Sequence, residues 1–176
     1  MRIAFLMAPE GVEQVELTEP WKAVKDAGHT PRLVSTTAGR IQAFNHLDEA
    51  DTFQVDQTVD EAAADQYEAL LLPGGVANPD ALRLDDDAVR LVKTFCETGK
   101  LVAAICHAPW TLIEADVVRG RTLTSWPSLE TDLRNAGAHW VDEEVVVDEG
   151  TYTLVTSRKP GDLKVFNDAV VTQLSG

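Results

Sequence analysis

The stretch Leu101-Val102-Ala103-Ala104-Ile105-Cys106-His107-Ala108-Pro109 joins a short apolar run to a thiol, an imidazole and a proline suited to a helix start. That order predicts a buried strand turning abruptly into a helix, with Cys106 at the turn. Such an elbow is strained, holds a nucleophile out at the sheet edge, and sets it over a helix N-terminus, where a thiolate is favoured. The same residues also suit a small buried cysteine that closes a core strand. Cys96, beside Phe95 near a helix end, reads as a cysteine of that structural kind. His107 is a candidate general acid or base toward a bound substrate, although adjacency along an elbow does not by itself bring its ring to the thiol.

Two further strand ends carry suitable groups. Glu13 and Glu16 fall where the first strand gives way to the first helix. A carboxylate there ordinarily complements the helix dipole. Buried against Cys106, Glu13 would instead have a raised pKa, and as a neutral carboxyl it could donate a hydrogen bond to sulfur. Pro73-Gly74-Gly75 supplies either a tight turn or backbone N–H groups fit for an oxyanion hole.

The elements needed to bring these loops together are legible in the hydrophobic pattern. Ile3 to Ala8, Arg32 to Ser35, Ala69 to Leu72 and Leu101 to Ile105 read as strands. Helices are predicted from Leu17 to Gly28, with Pro20 as a kink or restart, and after Asp85, to Ala115, over Ser128 to Ala136, and after Pro160. Ile41 to Phe44 and Thr52 to Val55 suggest a small hairpin, Thr58 caps a short helix over Asp60 to Ala64, and further strands lie at Thr122 to Thr124, Glu144 to Val147 and Tyr152 to Val155. Alternating strands and helices predict one α/β domain over 1–176, a mostly parallel sheet covered on both faces. In such sheets functional groups gather beyond the carboxyl ends of the strands, which selects the loops after Ala8, Leu72 and Ile105.

Composition narrows the function. The chain has 176 residues and a formal net charge of −14, which repels phosphate backbones, so no stable nucleic-acid partner is expected. No apolar run is long enough to span a bilayer and the N-terminus does not read as a signal peptide, so a cytoplasmic protein with no membrane partner is expected. Two cysteines make no disulfide framework. Neither metal-ligand spacing nor a phosphate-binding glycine loop is present, so no cofactor or metal is expected. His29, His46 and His139 read as surface or structural residues.

Together these motifs resemble the DJ-1/PfpI family, and most closely its PfpI-like branch of intracellular proteases and general stress proteins. The resemblance rests on Val12-Glu13-Gln14-Val15-Glu16-Leu17, Leu71-Leu72-Pro73-Gly74-Gly75, Ala104-Ile105-Cys106-His107-Ala108-Pro109, and Val155-Thr156-Ser157-Arg158 with Pro160 and Asp162-Leu163. It implies a flavodoxin-like three-layer sandwich in which Cys106 is the nucleophile, Glu13 the carboxyl bonded to it, and His107 the accompanying imidazole. Gly75, with Gly74 beside it, would serve the oxyanion. Trp126 falls where the family often places an aromatic wall of the pocket, and equally suits a core position. The resemblance also implies a homodimer or larger assembly in which an acidic residue of a neighbouring subunit completes a Cys-His-acid triad. The matching segment Val76-Ala77-Asn78-Pro79-Asp80 is one residue longer and offers Asp80 where the family has Glu. The activity implied is glyoxalase- or deglycase-like, on small reactive dicarbonyls or glycated groups. The alternatives are a redox-responsive stress protein with an oxidisable Cys106, or a cysteine peptidase. The chain lacks the late His-x-Glu of class I glutamine amidotransferases.

Overall fold

The computed structural model describes residues 1–176. Along the chain run β1 (Arg2–Met7), β2 (Glu10–Glu13), α1 (Gln14–Asp26), β3 (Thr30–Ser35), β4 (Arg40–Asn45), β5 (Asp48–Gln54), β6 (Gln57–Thr58) and β7 (Ala69–Leu72). They are followed by α2 (Ala77–Leu82), α3 (Asp86–Glu97), β8 (Leu101–Ile105), α4 (Pro109–Glu114) and β9 (Thr122–Leu123). The tail holds α5 (Glu130–Asn135), β10 (His139–Trp140), β11 (Val146–Asp148), β12 (Leu154–Ser157) and α6 (Leu163–Ser175).

Seven strands form the central sheet in the order β11-β12-β8-β7-β1-β3-β6, parallel except for β11, which pairs antiparallel to β12 at the edge. Side chains alternate between the two faces with the strand period of two. On β1, Ala4 and Leu6 join a core with Phe95 and Leu112, while Ile3, Phe5 and Met7 join one with Leu17 and Phe166. The result is the expected α/β sandwich, a flavodoxin-like architecture. Helix α3 starts where the Asp85 carboxylate accepts the Ala88 N–H at 2.8 Å, with Asp86 and Asp87 complementing the dipole in its first turn. Helix α1 continues through Pro20 without restarting. No helix is long and apolar enough to cross a membrane.

Three local expectations need correction. No α-helix forms over Asp60 to Ala64, because Thr58 is held in β6 against Ser35, and only a 3-10 turn at Ala64–Gln66 follows. The segment after Pro9, expected as a breaker and loop, forms β2, which pairs with β4 and β5 in a separate three-stranded sheet. The stretch after Gly75 winds into α2. Both of the last two elements flank the sheet edge where the elbow stands.

Candidate active site

Sheet register sets the ends of the central strands level: Leu72 lies beside Ala104, and Ser157 beside Ile105. The next residue, Cys106, adopts φ +64°, a left-handed conformation rare outside glycine and costly for a residue with a Cβ. Its surroundings enforce it. The Cys106 N–H donates to Ser157 O at 3.1 Å, its carbonyl accepts from Trp126 N–H at 2.9 Å, and Ala108 N–H returns to Ile105 O at 3.1 Å. Strand, strained thiol and short helix α4 thus make the elbow expected from sequence. The motif ending at Arg158 supports it from the side: the Arg158 guanidinium and its own backbone N–H both bond the buried Asp162 carboxylate, fixing the corner that follows β12.

The carboxyl beside the thiol is Glu16, not Glu13. Glu16 sits in the first turn of α1 and is fully buried, facing the Cys106 thiol and the amides of Gly74 and Gly75. Neither carboxyl oxygen finds a well-aligned hydrogen-bond partner within the protein. Helical geometry explains the exchange: Glu13 is the residue before the helix and belongs to β2, whereas Glu16 is carried inward with Leu17 on the buried side of α1. Glu13 still lines the same cavity, where its carboxylate accepts the His46 N–H at 3.0 Å. Burial, reinforced by the Glu13 charge, pushes the Glu16 pKa up to about 8, so Glu16 is largely a neutral acid at neutral pH.

Cys106 is also corrected in its ionisation. Instead of a thiol made more acidic by a helix N-terminus, burial and then the Glu16 charge push its pKa up. Helix α4 has only 6 residues, and desolvation outweighs the lowering by the Gly75 and His107 backbone amides. The second of those causes vanishes while Glu16 holds its proton. His107 Nδ1 lies 3.2 Å from Sγ, a contact that adjacency alone did not imply. Burial lowers the His107 pKa, leaving a neutral imidazole able to accept. Its ring stacks on Trp126 at 5.6 Å and 21° and meets Trp110 edgewise at 5.1 Å and 60°. Trp110 is tied down in turn by its indole N–H, which donates to Asp132 at 3.0 Å.

Gly74 and Gly75 are glycines because of what surrounds them. A Cβ on Gly74 would come within 2.5 Å of Glu16 Oε1 and 2.7 Å of the Cys106 Cβ. Gly75 has φ +82°, and a Cβ there would meet Gly11 O at 2.1 Å. The turn is fastened by Asn78, which sequence reasoning missed. Fully buried, it accepts the Ala8 N–H at 2.7 Å and donates to the carbonyls of Pro73 and Gly74, each at 3.0 Å. No periodicity marks such a residue, although it lies in the segment that is longer than the family pattern. Asp80, two residues on, is exposed on α2 and lines the cavity, while the neighbours of His107 within the chain are Cys106, Trp110 and Trp126.

These groups open into a cavity of about 670 Å³, within the range of small-molecule sites. Its floor holds Cys106, His107, Glu16 and Gly75, and Trp126, 38% exposed, is a wall and not a core residue. The β4–β5 hairpin contributes Phe44, His46 and Leu47, so His46, a surface residue as expected, also borders the site. The arrangement sets a thiol against a neutral imidazole, with a neutral carboxyl and a shaped backbone turn alongside.

The sequence model described as the DJ-1/PfpI family matches residues 1–173. The chain is 43% identical over 163 residues to Deglycase TK1284 of Thermococcus kodakarensis, covering 93% of each chain. It is 39% identical over 166 residues to the putative cysteine protease YraA of Bacillus subtilis, covering 94% of each. Among solved structures, a two-domain protein of Anabaena variabilis with DJ-1/ThiJ/PfpI-like and ferritin-like domains superposes with a TM-score of 0.91 at 36% identity. That match covers 99% of this chain and about half of the other, which is 50% spanned.

Proposed function

The chain belongs to the DJ-1/PfpI family, and from that premise we propose that it is a cysteine-dependent enzyme acting on reactive dicarbonyls or on the adducts they form. The observation that carries this reading is the floor of the cavity: a strained Cys106 with His107 Nδ1 at 3.2 Å and a buried, neutral Glu16 alongside. In this reading His107 accepts the thiol proton as sulfur adds to a carbonyl carbon. The C–S bond forms, the carbonyl π electrons pass to oxygen, and the Gly75 N–H stabilises the charge until Glu16 or His107 returns a proton. The product is a hemithioacetal. For a dicarbonyl, transfer of the hydrogen from that carbon to the neighbouring carbonyl carbon gives a thioester, and water then releases a hydroxy acid and restores the thiol. On a glycated amine, whose reacting carbon is a hemiaminal, the C–N bond breaks as the amine departs with a proton and the C–S bond forms in its place, giving the same hemithioacetal. The size of the cavity supports a small substrate, whereas peptide hydrolysis, suggested by the name of the YraA relative, calls for a longer cleft.

The test is a panel of methylglyoxal, glyoxal, glycated amino acids and an unstructured peptide, with wild type and Cys106→Ser. Turnover of dicarbonyls or adducts, abolished by the substitution, is expected. Turnover of the peptide alone would replace this reading by the peptidase. A second reading, a redox-responsive protein with little turnover, draws on the unpartnered Glu16 oxygens, since a neutral carboxyl beside sulfur can hold an oxidised sulfinate by a hydrogen bond. Inert behaviour across the panel with clean peroxide oxidation at Cys106 would favour it.

A further inference from the structure

A second cavity, of about 350 Å³, lies at the opposite end of the sheet, where α3 stops and β8 and β12 begin, whereas Cys106 follows the carboxyl end of β8. Its floor includes Arg121 and Tyr152, both buried, and its rim the exposed Lys93, Glu97, Asp116 and Arg119. Arg121 is only 8% exposed, and the centroid of the Tyr152 ring lies 4.0 Å from its Cζ. A guanidinium carries five N–H donors. Here Nε donates to Asp148 Oδ2 at 2.5 Å, and Nη2 donates to the carbonyls of Asp148 and Tyr152 at 2.8 and 2.6 Å. Nη1 is buried and has no acceptor. The group is thus fixed in place by three hydrogen bonds and a ring, with one nitrogen left unsatisfied, a costly arrangement that an incoming acceptor would relieve. The rim cations are loosely held: Lys93 Nζ stands 4.0 Å from Glu97, and Arg119 Nη2 3.6 Å from Asp116, both beyond hydrogen-bond reach. Either can turn toward a ligand without breaking a hydrogen bond.

We propose that this second cavity binds a small aliphatic carboxylate, which gives Arg121 Nη1 the acceptor it lacks and draws Lys93 and Arg119 inward. A planar carboxylate suits the edge of a guanidinium, and the hydrogen bonds are charge-assisted. A monoanion fits better than phosphate. Lys93, Arg119 and Arg121 are already matched by Glu97, Asp116 and Asp148, so each further negative charge on a ligand meets repulsion with no cation left to offset it. Val117 and the Tyr152 ring offer the body of the ligand a short apolar surface. This cavity shares no lining residue with the one over Cys106, and the proposal does not depend on the chemistry assigned there.

Titration of the isotope-labelled protein with butyrate, followed by backbone amide shifts at an ionic strength held constant with chloride, tests the site. Saturable shifts should gather at Val117, Thr151 and Tyr152, with a Kd of about 1–10 mM. Butyramide, of the same shape without the charge, should move these amides far less, and inorganic phosphate should bind more weakly than butyrate. Arg121→Gln should abolish the response. Because that substitution also strips Asp148 of its partner and can unfold the chain, Lys93→Gln and Arg119→Gln on the exposed rim give a second reading, each weakening butyrate about two- to fivefold. Shifts that fail to saturate, that spread over the surface, or that centre on Gly75 and His107 overturn the proposal. So does a response that survives in a folded Arg121→Gln or is unchanged by both rim substitutions. Equal binding of butyramide, or tighter binding of phosphate, would mean that the cavity does not select a carboxylate, and would overturn it as well.

Discussion

At the scale of single residues, the account turns on two protons, one held by Glu16 and one passed between Cys106 and His107. Glu16 has a folded pKa of about 8 against an ordinary value of 4.5, so the folded state holds its proton more tightly than the unfolded chain does. Its contribution to stability is complete below 4.5 and is lost as pH rises through about 8. Glu16→Gln, neutral at every pH, should therefore flatten the decline of stability across that window, an effect on the order of a few kcal/mol. Urea unfolding followed at pH values on both sides of the window checks this, and parallel curves for the two proteins would mean Glu16 is not a buried acid. Turnover of wild type should fall only as pH passes about 8, where the folded protein loses the neutral acid. Cys96 differs from Cys106 in having no imidazole among the groups that act on it, and burial pushes its pKa up to about 12. Iodoacetamide should label Cys106 well before Cys96, with a rate that keeps climbing above neutral pH, because the Cys106 thiol is itself raised. Preferential labelling of Cys96 would remove the site assignment.

At the scale of elements, the turn after β7 depends on Asn78. Its three hydrogen bonds tie that turn to the end of β1, and so set the direction of the Gly75 N–H. Asn78→Asp keeps the shape but turns a donor toward two carbonyls into an acceptor, and should cost about 1–3 kcal/mol of stability. If Asn78 positions the oxyanion donor, turnover should drop at least about tenfold through kcat, while alkylation of Cys106, which needs no oxyanion donor, changes much less. Equal losses in both would indicate simple disorder of the turn. The contrast between the elbow and this turn shows what a sequence reveals. Cys106 was legible because a buried strand running into a proline-started helix leaves one geometry for the residue between them. The central strands were legible for the same reason, as short apolar runs bounded by breakers. Glu13 and Glu16 were confused because the boundary between β2 and α1 decides which one turns inward, and helix boundaries are poorly marked in sequence. Asn78, α2 and the wall from the β4–β5 hairpin were missed since long-range hydrogen bonding and pairing, not local period, create them.

At the scale of the whole molecule, the cavity mouth is bordered by apolar groups left in solvent: Leu47 is 95% exposed and Val76 57%, with Asp80 on the same helix as the turn's end. A second copy covering this mouth would bury them and could bring an acidic residue to His107. At least a dimer is therefore expected at moderate salt, loosening as salt is removed, since −14 per chain repels at low ionic strength but is screened beyond about 8 Å under physiological conditions. Light scattering across a salt series reads the assembly, and Asp80→Ala should lower turnover more than it lowers Cys106 alkylation. A monomer at every salt concentration with full activity would remove both the assembly and the shared triad. The most direct test of the central claim, that the Cys106 sulfur bonds to the substrate's carbonyl carbon, is the mass of the protein quenched during turnover of methylglyoxal. The account predicts an added substrate mass confined to the Cys106 peptide, present while substrate lasts, gone when it is consumed, and absent from Cys106→Ser. Steady turnover with Cys106 unmodified, or turnover surviving in that variant, would contradict it.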